Sequence, residues 1–210
     1  MRYLTFLLLY LFFSNNVQSN DIPNDEEYYK LGVKNYKNAN FSEAYIIFQN
    51  LADKGDRNAQ FNVSNMYANG VGITQDFKRA LKWSWMCSLG GEKKCLEKIN
   101  SLKKKLDEKT IEDIAIELEK SIEKSVFKKR DINDALKLGF WYEMFSPSKD
   151  LEKAYIWYSV SVSGGLYKAM NIRERVGNQI ESENITKLQI EANKIYNQIK
   201  YFTFNEEVNK

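Results

Sequence analysis

The stretch Ala59–Cys95, AQFNVSNMYANGVGITQDFKRALKWSWMCSLGGEKKC, decides how this 210-residue chain is read. With Ala80 as the anchor, Trp83 lies three residues on, Gly91 eleven and Cys95 fifteen. From Ala44 the same offsets fall on Ile47, Gly55 and Ala59, and from Ala154 on Trp157, Gly165 and Ala169. Upstream, Tyr67 precedes Gly70 by three residues, Gly72 by five, Asp76 by nine and Ala80 by thirteen. Trp141, Asp150 and Ala154 keep that spacing, with Met144 and Ser146 in place of the glycines. Self-similarity at a period of about 36 residues marks a helical solenoid, in which each repeat buries its apolar face against the next.

The spacing has a physical reading as a helix hairpin. Tyr67 closes one helix and turns its ring inward. The Gly-Val-Gly corner allows positive φ where the chain reverses. Asp76 is placed to cap the next helix. Small Ala80 lets the two helices approach, and Trp83 fills the space beside it. Composition agrees, with only 2 prolines and 10 glycines in the chain and no sustained period-two alternation of the kind strands need. The expected fold is all-α, an α-solenoid of stacked antiparallel helix hairpins.

The pattern Tyr67, Gly70, Val71, Gly72, Ile73, Asp76, Ala80, Trp83, Gly91 and a small residue at 95 resembles the Sel-one-like repeat (SLR), a relative of the tetratricopeptide repeat. The likeness is specific for Ala59–Cys95, good for Leu136–Ala169 and partial for Leu31–Ala59. In Leu31–Ala59 a short loop from Asn38 to Phe41 stands where the glycine corner would be. The resemblance covers about half of the chain and implies a scaffold that binds partners; it carries no activity by itself.

Around that centre, residues 26–204 read as one repeat domain. Its units are about 26–58, 59–95 and 131–169, with helical tails at 96–130 and 170–204. The tails echo each other: Leu102, Leu106 and Ile111 lie 22, 26 and 31 residues past Ala80, and Val176, Ile180 and Ile185 lie at those offsets past Ala154. The second tail reads as a cap and the first as a degenerate internal unit. Residues 1–19 read as a cleaved secretory signal peptide: Arg2, an apolar run from Tyr3 to Phe13, then Val17 and Ser19 before the cleavage point. The run is too short to span a bilayer. The expected location is periplasmic or secreted, without stable membrane insertion.

Cys87 and Cys95 lie on either side of Gly91, about one helical turn from it. An exported chain whose only cysteines are these two favours a disulfide between them, with buried free thiols as the other reading. The spacing also resembles the cysteine-rich secreted branch of SLR proteins, which implies the same staple. It is not the C-x-x-C of a redox pair.

The chain holds no histidine, which removes Ser-His-Asp and Cys-His nucleophile pairs and most zinc sites. No phosphate-binding or dinucleotide-binding glycine motif occurs. No cofactor, metal ligand or catalytic residue is assigned. Because some cysteine-rich SLR proteins are associated with penicillin binding, S-x-x-K deserves notice: Ser101–Lys104, Ser121–Lys124, Ser125–Lys128 and Ser146–Lys149 match, unaccompanied by S-D-N or K-T-G. A net charge of +3 and basic runs without interleaved aromatics give no sign of a nucleic-acid partner. Tyr67, Trp83, Trp141 and Trp157 fall at consensus core places. Trp85, Tyr142, Phe145, Tyr155 and Tyr158 are not required by the repeat. They are the candidate partner-binding residues, unless they bury against a tail helix. The expected function is an exported scaffold for protein–protein interaction, an adaptor or regulator. The alternatives are a cell-wall or β-lactam hydrolase and a secreted effector acting on a host.

Overall fold

The computed structural model describes residues 24–207, with side chains through residue 200; the signal-peptide reading of residues 1–19 lies outside the described residues. Those residues form ten α-helices: α1 Asp25–Lys37, α2 Phe41–Asp53, α3 Arg57–Asn69, α4 Phe77–Leu89, α5 Lys94–Lys103, α6 Glu108–Lys129, α7 Ile132–Phe140, α8 Leu151–Ser163, α9 Met170–Gly177 and α10 Ser182–Glu207. A π-helical turn, Trp141–Phe145, follows α7, and a short 3₁₀ turn precedes α9. Among the described residues there is no strand. Consecutive helices pack as antiparallel neighbours from α1 to α5, so the fold is the all-α repeat solenoid expected.

The repeat is visible in the hydrogen bonds. Gly55, Gly91 and Gly165 have φ of 97°, 94° and 96°. After each, the next N–H donates back to the carbonyl five residues earlier: Asp56 to Leu51 at 3.0 Å, Glu92 to Cys87 at 3.3 Å and Leu166 to Ser161 at 3.0 Å. This is the helix-ending motif that a left-handed residue permits. A Cβ on Gly55 or Gly165 would meet nothing within 4 Å, so backbone conformation, not space, selects glycine there. The anchors Ala44, Ala80 and Ala154 are all fully enclosed. Asp56, Asp76, Asp107 and Asp150 each accept the N–H three residues on, at 2.6–3.0 Å, and so start α3, α4, α6 and α8.

The two full corners are made differently. Gly70 and Gly72 adopt φ of 67° and 73°, and a Cβ on Gly72 would lie 2.3 Å from the Phe41 carbonyl oxygen. Asp76 N–H then closes the corner onto the Tyr67 carbonyl at 2.9 Å. At the second corner no residue has positive φ. The chain widens into the π turn, and Asp150 N–H closes onto Tyr142, one residue nearer than in the glycine corner, at 3.0 Å. In the first hairpin Ala39 takes φ 62°, the left-handed conformation that a short loop without glycine demands.

Beyond each of the last two hairpins the chain does the same thing twice. α5 packs on α4 and α9 on α8; α6 packs on α4 and α10 on α8. α6 also lies along α7 and so joins the halves. The core runs through both: Trp85 and Trp141 are fully buried and meet edge to face, their rings 5.3 Å apart. Trp83 is only partly buried, contrary to the expectation that it fills the core beside Ala80. Two residues on a helix point about 200° apart, and the Trp85 side is the one that the next hairpin covers.

Candidate protein-interaction surface

The turn between α4 and α5 is rigid for local reasons. Cys87 and Cys95 are disulfide-bonded, with Cα atoms 6.1 Å apart, and both are fully buried. Arg57, at the start of α3, donates from Nη1 to the Gly90 carbonyl at 3.0 Å. Lys94 donates from Nζ to Asn58 Oδ1 at 2.8 Å and lies 4.7 Å from the centre of the Phe61 ring. The preceding hairpin therefore braces the stapled turn from one side.

On another side of the turn lies an apolar cleft of about 220 Å³. It is lined by Leu89, Leu96, Phe140, Met144 and Phe145 together with Glu92 and Lys93. Leu96 is 37% exposed and Met144 51% exposed. The cleft spans the end of one hairpin and the corner of the next, so its shape depends on how the two pack.

That corner is held by carboxylates. Glu119 of α6 accepts from Trp141 Nε1 at 3.1 Å and from the Tyr142 hydroxyl at 2.8 Å. Glu143, within the π turn, accepts from the Tyr158 hydroxyl of α8 at 2.7 Å and from Arg175 Nη2 of α9 at 2.7 Å. Burial first, and then the bonded carboxylate, pushes the Tyr142 and Tyr158 hydroxyls far above the usual phenol range. The Tyr45 hydroxyl rises likewise through burial and its 2.6 Å bond to Tyr67.

The five aromatics singled out in the sequence separate sharply. Trp85, Tyr142, Tyr155 and Tyr158 are buried, between 0% and 8% exposed. Each has a packing reason. Trp85 meets Trp141, Tyr142 bonds Glu119, Tyr158 bonds Glu143 and lies edge-on to Phe140, and Tyr155 accepts from Gln189 of α10. The tail helices and the π turn enclose these four rings, and Tyr155 also lines a cleft between α8, α9 and α10. Phe145 alone stays partly exposed, and it lines the apolar cleft. Leu96 and Met144 were missed in the sequence. Their one signal is an apolar residue directly after Cys95 and another at a corner position held elsewhere by glycine.

The S-x-x-K pairs scatter. Ser101 and Ser146 lie apart, Ser101 exposed and Ser146 buried. Ser121, Lys124, Ser125 and Lys128 share one face of α6 and line a groove of about 360 Å³ with the turn after α2. Glu112, Asp113 and Glu117 are exposed on α6. Among the described residues no group of three metal-ligating side chains converges, and no helix is long and apolar enough to cross a membrane.

No protein-family model matches the chain. Over 54 residues it is 41% identical to a protein of Rhizobium leguminosarum bv. viciae described as an exopolysaccharide production negative regulator. The match takes in 26% of this chain, which covers 20% of that protein's length.

Proposed function

We propose that this chain is an exported helical-repeat scaffold that binds a protein partner, acting as an adaptor or regulator in the periplasm or cell envelope. Residues 26–204 serve as one domain of repeat hairpins, with the later tail as its cap. The observation that carries the reading is the apolar cleft beside the stapled turn, where exposed Leu96 and Met144 flank the ring of Phe145. Exposed apolar side chains gathered beside a disulfide-stapled turn have the composition of an interface core. The partner that fits presents one or two apolar side chains, from a helix or an extended segment. The disulfide supports export to an oxidising compartment, as does the apolar run at residues 3–13. The partial likeness to a protein named as a regulator supports a regulatory role. Affinity purification of the tagged chain after cross-linking in intact cells tests it. The reading predicts a dominant partner retained by the native chain and lost with Leu96→Glu; equal recovery with both chains would overturn the assignment of the cleft.

A further inference from the structure

A second concavity has a different chemistry, and the internal repeat makes it legible. An offset of 74 residues maps α4 and its tail onto α8 and its tail, from Ala80 to Ala154. In the first copy the mapped positions are Leu81, Trp85, Leu89, Ile99 and Ala115, every one of them buried. In the second copy they are Tyr155, Ser159, Ser163, Arg173 and Gln189. An apolar core in one half has become a polar wall in the other. The enclosed indole of Trp85 corresponds to the hydroxyl of Ser159, and a cleft of about 620 Å³ opens between α8, α9 and α10.

A terminal repeat needs a polar outer face, but a face that only meets water does not enclose its polar atoms. Ser159 lines the cleft and is 8% exposed, and its Oγ is buried behind that surface with no hydrogen-bond partner. A buried hydroxyl without a partner is destabilising unless something completes it.

We infer that the cleft between α8, α9 and α10 binds a small, neutral, polyhydroxylated ligand, a mono- or disaccharide unit. The wall is built of hydroxyls from Ser159, Ser163 and Ser182 and of amides from Asn178, Gln189 and Asn193. Each of these groups can both donate and accept, as sugar hydroxyls do. No lysine lines the cleft, and its Arg173 and Glu174 pair with each other at 2.6 Å, so the wall carries no net charge. A charged ligand would find no unpaired opposite charge in the wall, and an apolar one would cover amides and hydroxyls without pairing them. The volume lies within the range of small-molecule sites.

The test is saturation-transfer NMR on the whole chain with glucose, N-acetylglucosamine, maltose, cellobiose and maltoheptaose, each at about 10 mM, the concentration at which millimolar affinities show. Glucose 6-phosphate and glucosamine serve as charged controls. At least one neutral sugar gives a signal that exceeds both controls. The signal falls about tenfold or more in Ser159→Trp, which restores the side chain of the first copy, and in Gln189→Ala, which restores its alanine. The second variant keeps the test valid if the first fails to fold. A signal from maltoheptaose as well as maltose identifies a glycan end as ligand; one from maltose alone identifies a free disaccharide. No signal from any neutral sugar, stronger signals from the charged controls, or signals unchanged in a folded variant would overturn the assignment.

Discussion

Glu119 holds Trp141 and Tyr142 at once, one carboxylate oxygen on the indole N–H and the other on the phenol. It comes from α6, more than twenty residues upstream, and it secures a corner that has no glycine. Gly70 and Gly72 give the earlier corner its shape through backbone freedom. The later corner takes its shape from a π turn, and long-range hydrogen bonds keep it there.

Removing that carboxylate leaves two donors without partners, on a tryptophan that is fully buried and a tyrosine that is 8% exposed. Glu119→Ala is expected to lower stability by about 2–6 kcal/mol, since each of the two stranded buried donors costs about 1–3 kcal/mol. Urea unfolding followed by tryptophan fluorescence measures this. A loss below about 0.5 kcal/mol, the size of an ordinary surface change, would show that the corner stands without Glu119.

The tyrosines held by Glu119 and Glu143 make the fold sensitive to alkali. In the folded chain their hydroxyls lose protons only well above the ordinary value of 10.0. The unfolded chain titrates near that value, so above it the unfolded state binds fewer protons than the folded one and stability falls as pH rises. Below it the contribution is fully present. Thermal melts between about pH 8 and 12 should show a steep loss beginning near the ordinary phenol value, shallower in Tyr142→Phe and in Tyr158→Phe. A slope unchanged by either substitution would contradict the linkage.

The Cys87–Cys95 bond closes a loop with a sequence separation of 8. Closing so short a loop is expected to stabilise by about 2–3 kcal/mol on the chain-entropy account. In a chain of this size that corresponds to a fall in Tm of about 4–12 °C on reduction. Melts with and without reductant, with Cys87→Ser/Cys95→Ser as the matched variant, check it. Coincident melts would mean that the braces from Arg57 and Lys94 hold the turn unaided.

Much of the fold was legible because its signals are local. Gly55, Gly91 and Gly165 share an offset because one helix ending recurs, and Asp76 and Asp150 share another because a helix start must be capped. The order of Trp83 and Trp85 was not legible. Helical geometry separates them, but only the position of Trp141 decides which is covered. Tyr142, Tyr155 and Tyr158 stood out as rings the repeat does not need, yet their partners Glu119, Gln189 and Glu143 sit 15 to 34 residues away. The cleft was legible only through Phe145. Leu96 and Met144 belong to it because two hairpins meet there, and no local spacing reports that.

The most direct measurement is photo-cross-linking in intact cells from a probe residue at position 144, compared with one at 167. Met144 lies on the cleft and Tyr167, 73% exposed, lies away from it. The account predicts one discrete cross-linked protein from position 144, absent from position 167 and abolished by Leu96→Glu. Equal products from both positions, or none from position 144, would contradict a partner bound at the stapled turn.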